Sequence, residues 1–181
     1  MRDIEAERRA VVEEARSWLR TPYHHMGRIK GAGVDCATLL AEVYARADVL
    51  PALAVPFYPP DWHLHRDAER YLDFVRAHAV EVGLSVAQGE AYSRPSASYE
   101  AKPADVVLWR FGRCFSHGAI VIDWPLVVHA YAGRGCVLED AQQAHWLAYL
   151  GGRRGEKLQA RPVKFFTLKR WAAVERENRD R

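Results

Sequence analysis

The texture of the sequence changes at Pro103, and this change limits the folds that the chain can adopt. Before it, apolar residues recur at helical spacing; after it, they fall into short runs divided by turn-forming residues. These runs predict strands at residues 106–111, 118–122, 126–132, 136–138 and 158–166. Helices followed by a meandering antiparallel sheet predict an α+β domain.

Helical periodicity predicts four helices: residues 4–19, a segment opened by Cys36, residues 61 to about 80, and residues 168–181. The first is amphipathic and ends before Thr21-Pro22, and residues 22–34 are predicted to form a long loop. Residues 85–103 are rich in Ser, Ala, Gly and Pro without periodicity, so a second loop is predicted there. Residues 51–102 are interpreted as an insertion in a single domain that spans residues 1–181.

Size and charge exclude several classes of protein. A chain of 181 residues, 49% hydrophobic and 27% charged, is long enough for one domain to bury a core. The formal charge of +3 is small and the arginines are scattered, so no nucleic-acid partner is expected, although a weakly basic surface suits an anionic polymer. No apolar run reaches the length of a membrane span or a signal peptide. We therefore expect a protein that is cytoplasmic as synthesised, without a membrane partner.

The stretch from Gly33 to Thr38 is the strongest candidate for a functional site. A glycine-rich run reaches Asp35 and Cys36, and helical spacing begins directly afterwards. The unpaired N–H groups and the positive dipole end of a helix N-terminus stabilise an anion such as a thiolate. Cys36 is therefore a candidate nucleophile, with a small buried hydrophobic residue as the alternative. The chain has three cysteines and no CxxC pair, so at least one free thiol is expected rather than a disulfide framework.

Two histidines in predicted strands are candidate partners of that thiol. If the turn at residues 123–125 is symmetric about Trp124, residue 117 lies opposite residue 131, and His129 is the diagonal neighbour of His117 on the same sheet face. A turn shifted by one residue would instead place the imidazoles on opposite faces. A catalytic thiol needs a base and a third group that orients the base, and Cys36, His117 and His129 fit these roles. The alternative for each histidine is a core imidazole bonded to a backbone carbonyl.

Other polar residues allow several interpretations. His24 and His25 lie nearer to Cys36 in sequence and are either loop residues or cleft residues, with the base as a second possibility. The histidines in helical or loop contexts are expected to be solvated or capping: His63, His65, His78 and His145. A zinc site that joins the three cysteines to His117 lacks the close-spaced ligand pairs of zinc proteins, and no metal or cofactor is expected. Asp35 is predicted to cap the helix, and Tyr23 is either a cleft phenol or a packed aromatic residue.

Several short motifs, taken in order, resemble those of a known family. They are Thr21-Pro22-Tyr23, Asp35-Cys36, Lys102-Pro103-Ala104-Asp105, Ser116-His117-Gly118-Ala119-Ile120 and His129-Ala130. In their order and in the distance between the histidines they resemble the NlpC-type cell-wall cysteine peptidases, a papain-like group. The loop from Tyr23 to Cys36 is more similar still to the subgroup found in phage and prophage tail modules. The resemblance covers most of residues 8–50 and 102–140.

This resemblance implies a papain-like fold, with N-terminal helices packed on a central antiparallel sheet. It also implies hydrolysis of peptidoglycan stem peptides, typically between D-γ-glutamate and the following diamino acid. Cys36 would attack, His117 would act as general base and then acid, and His129 would orient His117. Tyr23 and Asp35 would bind near the free amine of the substrate, and backbone N–H groups near Cys36 would form the oxyanion hole.

Departures from the family pattern leave alternatives open. The family commonly has Asp-Cys-Ser-Gly and Pro-Gly-Asp, whereas this chain has Ala37, Thr38 and Ala104, which leaves the exact substrate open. A virion tail, with other phage tail proteins as partners, is one location considered for the peptidase. The functional alternatives are a catalytically silent tail-assembly protein and a related papain-like amidase or acyltransferase. Release by lysis is a further route out of the cell. Residues 51–102 are hypothesised to border the cleft and to restrict substrate length.

Overall fold

The computed structural model describes residues 3–60, 68–85, 101–151 and 157–179. Its helices are α1 Ile4–Ser17, α2 Cys36–Arg46, α3 Arg70–His78, α4 Ala144–Leu147 and α5 Lys169–Arg179. Its strands are β1 Arg28–Ile29, β2 Gly33–Val34, β3 Ala79–Ser85, β4 Val106–Phe111, β5 Cys114–Asp123, β6 Leu126–Tyr131, β7 Gly135–Asp140, β8 Ala148–Gly151, β9 Lys157–Ala160 and β10 Val163–Leu168.

Six strands form a central antiparallel sheet in the order β3-β10-β4-β5-β6-β7, while β1–β2 and β8–β9 form separate hairpins. On one face, buried side chains of the longer helices, such as Leu39 and Trp171, pack against Ile120 of the sheet. The opposite face buries Trp109 and Trp146. The predicted α+β architecture, with helices packed on a central antiparallel sheet, is confirmed. In the described ranges no helix is both long and apolar enough to cross a membrane.

The predicted C-terminal end of the helix over residues 61–80 is wrong. Helix α3 stops one residue before Ala79, which begins β3, and residues 61–67 lie outside the described residues. Apolar residues at 79, 80 and 82 fit a strand as well as a helix, and pairing decides between the two, because Val80 lies opposite Thr167 of β10. The segment interpreted as an insertion therefore supplies an edge strand of the central sheet.

Three further predictions need correction. The predicted loop over residues 22–34 contains the short β1–β2 hairpin. The run at residues 158–166 is two strands in different sheets, separated at Pro162, which has no N–H for a ladder. In the predicted loop over residues 85–103, Ser85 belongs to β3, and residues 86–100 lie outside the described residues. The strands β4 to β7 and the helix α5 lie where they were predicted, with ends shifted by a few residues.

A buried arginine holds the terminal helices against the sheet. Arg8 of α1, only 2% exposed, donates to Asp105 Oδ1 at 2.9 Å and to the Pro103 carbonyl at 2.7 Å. It also donates to Thr167 Oγ1 of β10 at 2.9 Å, and its guanidinium lies 4.4 Å from the centre of the Trp171 ring on α5. Since Asp105 is fully buried, the Arg8 charge compensates a carboxylate that has no access to water.

We expect Arg8→Met to lower the free energy of unfolding by about 3–5 kcal/mol, because it leaves the Asp105 carboxylate buried without its cation. Urea unfolding followed by circular dichroism measures the change. Arg9→Met is the matched control: the Arg9 side chain is 66% exposed, so the expected loss is below about 0.5 kcal/mol. A loss for Arg8→Met no larger than that of the control would contradict this role.

Candidate active site

The N-terminus of α2 is closed by a capping box that includes Thr38. Asp35 Oδ1 accepts hydrogen bonds from Thr38 N at 3.0 Å and Thr38 Oγ1 at 2.8 Å. In return, Asp35 N donates to Thr38 Oγ1 at 3.1 Å. The predicted cap is confirmed. Thr38, which departs from the family pattern, is a buried part of this cap rather than a cleft residue.

The other carboxylate oxygen of Asp35 also accepts hydrogen bonds from protein groups. Asp35 Oδ2 accepts from Met26 N at 2.7 Å and from the Tyr58 hydroxyl at 2.6 Å, and it lies 3.5 Å from His25 Nδ1. Asp35 is 1% exposed. In this conformation its carboxylate therefore anchors Tyr58 and the loop around Met26, and a substrate amine would have to displace Tyr58 to reach it.

Cys36 lies against the backbone of β5 on either side of His117. Its sulfur is 3.9 Å from the Ser116 carbonyl oxygen, and the Gly118 N–H donates a hydrogen bond to it. Burial of the sulfur, and then the negative charge of Asp35, raise the pKa of the Cys36 thiol to about 12. The sequence suggested a thiolate stabilised by the helix N-terminus; burial outweighs that effect, and the resting form is the thiol.

Gly118 leaves the space that brings Tyr71 to the cysteine. The Tyr71 hydroxyl donates to the Cys36 carbonyl at 3.0 Å and forms a hydrogen bond with its sulfur. A Cβ at position 118 would overlap that hydroxyl. The glycine after His117 is thus required by the packing of Tyr71 over β5.

The two strand histidines meet as the register predicts. Ile120 pairs with Val128, so that residue 117 falls opposite residue 131. His117 Nε2 and His129 Nδ1 are 3.1 Å apart. The prediction that both imidazoles lie on one sheet face is confirmed, because the bulge in this hairpin lies next to the turn, beyond Val121.

The histidine pair continues into a carboxylate that sequence reasoning missed. His129 Nε2 lies 3.0 Å from Glu139 Oε2, and Arg134 Nη1 donates to Glu139 Oε1 at 2.8 Å. Glu139 of β7 lies opposite Val127, so it is the diagonal neighbour of His129, as His129 is of His117. The predicted strand ends at residue 138, one residue before Glu139, so no signal in the sequence marked this side chain.

Both imidazoles are neutral near neutral pH. Burial lowers the pKa of His117 well below its ordinary value, and the neighbouring His129 lowers it further. Burial also lowers the pKa of His129 to about 4, although hydrogen bonding and charge at Glu139 oppose that shift. For Glu139, burial raises the pKa, but hydrogen bonds from Arg134 and His129 outweigh burial and lower it overall. The result is an ionised carboxylate beside two uncharged rings.

Aromatic side chains hold the His117 ring in place. Trp146 stacks on it with ring centres 5.2 Å apart and planes at 20°, while Phe111 and Tyr131 approach it edge-on, each at 5.7 Å. His117 is 8% exposed and His129 is fully buried. Among the described contacts there is no hydrogen bond between the Cys36 thiol and the His117 ring. Cys36 packs against the helix-side core, whereas the His117 ring lies with Trp109 and Trp146 on the opposite face of the sheet.

A cleft of about 450 Å³ opens next to Cys36. Its walls come from the loop before α3, from α3 itself and from the cysteine region: Val55, Pro56, Phe57, Tyr58, Arg70, Tyr71, Phe74, Cys36, Ala37 and Ser116. Most of these lining residues are apolar, and Arg70 is the one charged residue among them. Residues 55–58, 70, 71 and 74, from the described part of the segment 51–102, thus border the cleft.

The remaining candidates lie at the edge of this region. Burial, and then the nearby Cys36 and Asp35, raise the pKa of the half-buried Tyr23 to about 12, so its phenol stays protonated. His25 Nε2 contacts the Tyr58 carbonyl at 2.8 Å, and His24 Nδ1 contacts the His25 carbonyl at 3.0 Å. Both therefore support loops.

The three cysteines are not joined in disulfides. Cys114 and Cys136 are buried in the core, whereas Cys36 is partly exposed. Within the described ranges no group of three or more His, Cys, Asp and Glu side chains is placed to hold a metal ion.

No protein-family model matches the sequence, and no curated protein sequence is similar to it. The NlpC/p60 domain of the peptidoglycan hydrolase SagA is similar in structure, with a TM-score of 0.51 and 18% identity, and the match covers 76% of this chain and 92% of that one. A lipoprotein-like protein of the NLP/P60 family from Staphylococcus aureus subsp. aureus Mu50 has a TM-score of 0.49 and 18% identity; the match covers 89% of this chain and 42% of that longer chain. By its likeness to the SagA domain, this chain has the papain-like fold of NlpC/p60 domains.

Proposed function

We propose that this protein is a cysteine peptidase that hydrolyses an amide bond in peptidoglycan stem peptides. The observation that carries the proposal is the placement of Cys36 at the start of α2, against the two peptide groups that flank His117. The hydrogen bond from His117 to His129 supplies the orienting partner that a thiol–imidazole pair needs. The likeness of the fold to a peptidoglycan hydrolase domain agrees with this chemistry.

In the proposed reaction, His117 takes the Cys36 proton as the sulfur attacks the carbonyl carbon. The oxyanion formed would accept hydrogen bonds from backbone N–H groups near Cys36. Thr38 N is not one of them, because it donates to Asp35 in the cap. Collapse of this intermediate breaks the C–N bond, and His117 gives the proton to the leaving amine. Water, deprotonated by His117, then cleaves the thioester, which releases the acid and restores the thiol.

The bond proposed is that between D-γ-glutamate and the following diamino acid, as the motif resemblance implies. Tyr23 is proposed to bind near the free amine of the substrate, since its protonated phenol lies beside Asp35 and Cys36. Asp35 takes part only if the substrate displaces the Tyr58 hydroxyl from it. The similarity of the loop from Tyr23 to Cys36 to phage tail modules supports a place in a phage tail.

A second candidate is amide hydrolysis or acyl transfer on a less polar substrate. The apolar walls of the cleft favour it, as does Ala37, which stands where the family commonly has a serine. Both candidates use the same thiol, so the products formed from defined muropeptides separate them. An assembly role without turnover would yield no products.

We expect Cys36→Ala to abolish release of fragments from muropeptides of defined stem length, with at least about a 10³-fold loss of kcat. Chromatography with mass spectrometry identifies the bond that the native protein cuts. Cys114→Ala, at a buried thiol on the same strand as His117, is the control for loss of a sulfur and should keep kcat. Turnover that survives in Cys36→Ala would rule out the thiol mechanism.

The acid limb of kcat/KM should have its midpoint below pH 6.5, because burial lowers the pKa values of both histidines.

The free energy of unfolding should also depend on the protonation of these histidines. The unfolded chain protonates His129 near 6.5, but the folded chain does so only at about 4. The contribution of neutral His129 to the free energy of unfolding is therefore fully present above pH 6.5 and is lost as the pH drops towards 4. A midpoint at or above 6.5, or stability that is unchanged across this range, would contradict the neutral pair.

Phe57 lines the cleft with 73% of its surface exposed, and we expect Phe57→Ser to raise KM about tenfold while kcat changes little, since apolar contact with the substrate is lost. Ile29 is 66% exposed and does not line the cleft, so Ile29→Ser is the matched control. Equal KM values for the two variants would remove Phe57 from the binding surface.

A further inference from the structure

Glu139 and Arg134 extend the histidine pair beyond the groups that the proposed reaction uses. The chain of contacts runs from His117 through His129 to the carboxylate, and on to the guanidinium, with steps of 3.1, 3.0 and 2.8 Å. Glu139 is 7% exposed, whereas the Arg134 side chain is 51% exposed. A second neighbour, His145 Nε2, lies 3.7 Å from Glu139 Oε1.

We propose that Glu139, held by Arg134, is a positioning residue that sets the tautomers of both histidines and so leaves the Nδ1 lone pair of His117 free to act as the base. This rests on the proposed function for the role of His117 as the base. It concerns which ring nitrogen carries each proton, a property of the protein that can be measured without any substrate.

The tautomers follow from which groups can donate. An ionised carboxylate only accepts, so the 3.0 Å contact with Glu139 requires a proton on His129 Nε2. In a neutral ring, His129 Nδ1 must then accept, and its contact with His117 Nε2 requires a proton there. His117 is neutral as well, so its second nitrogen, Nδ1, is left with a lone pair.

Because of Arg134, replacing one carboxylate oxygen of Glu139 with an NH2 group is expected to reverse both tautomers. Its guanidinium only donates, so in Glu139→Gln the amide oxygen must stay towards Arg134 and the NH2 group must face His129 Nε2. His129 Nε2 would then have to accept a hydrogen bond from the NH2 group, so the proton of the His129 ring moves to Nδ1. The same exchange at His117 places a proton on Nδ1 and removes the base. His145 does not prevent this, since an imidazole nitrogen can either donate or accept.

Long-range proton–nitrogen NMR of the imidazoles tests the proposal, because each tautomer has its own pair of nitrogen shifts. In native protein both rings should be protonated on Nε2, and in Glu139→Gln both should be protonated on Nδ1. Glu139→Gln with Arg134→Ala frees the amide to rotate, and both rings should return to Nε2. Glu81→Gln, at an ion-paired carboxylate on β3, is the control for the exchange itself.

Kinetics supply a second readout. Glu139→Gln should lower kcat about 10²-fold or more with little change in KM, and adding Arg134→Ala should restore part of kcat. Rings that stay protonated on Nε2 in Glu139→Gln would overturn the proposal, as would a switch that Arg134→Ala fails to reverse. Absence of turnover in native protein would instead count against the proposed function, and the NMR result would still decide the role of Glu139.

Discussion

The pairing of β5 with β6 brings the two strand histidines together on one face of the central sheet. Side chains alternate along a strand, so a shift of one residue would send one imidazole to the opposite face of the sheet. The observed register keeps His117 and His129 in hydrogen-bond contact. A second diagonal step, from β6 to β7, brings Glu139 to the far side of His129. Three consecutive strands thus supply the two histidines and the carboxylate, and the turn between β6 and β7 adds Arg134.

Burial governs the electrostatics of the site. It keeps the Cys36 thiol and both imidazoles uncharged, whereas Glu139 stays ionised beside Arg134. In the proposed reaction the thiol and the imidazole both start uncharged, so proton transfer would accompany attack on the substrate. The negative charge of Asp35 adds to the effect of burial on the Cys36 thiol. Asp35 also accepts a hydrogen bond from Tyr58, which holds residues 55–58 as a wall of the cleft.

The sequence was sufficient wherever the signal was local. Helix periodicity predicted α1, a capping residue before an apolar pattern predicted the start of α2, and turn residues predicted strands β4 to β7. For β5 and β6 the sequence left two registers open, and the structure has the one that keeps His117 and His129 on one face. The sequence failed where partners distant in the chain decide the outcome. Val80 follows a helix in sequence, yet β10 draws it into the sheet. Glu139 and Tyr58 enter the site only through strand pairing and through the bond to Asp35, and no motif marks either of them.

We propose that Cys36 and His117 act as a thiol and its base. The rate at which iodoacetamide alkylates Cys36, followed by peptide mass spectrometry in native protein and in His117→Ala, tests this pairing and requires no substrate. We expect Cys36 to react in the native protein and His117→Ala to slow this reaction at least about tenfold. Equal rates in the two proteins, or a native Cys36 that does not react, would contradict it.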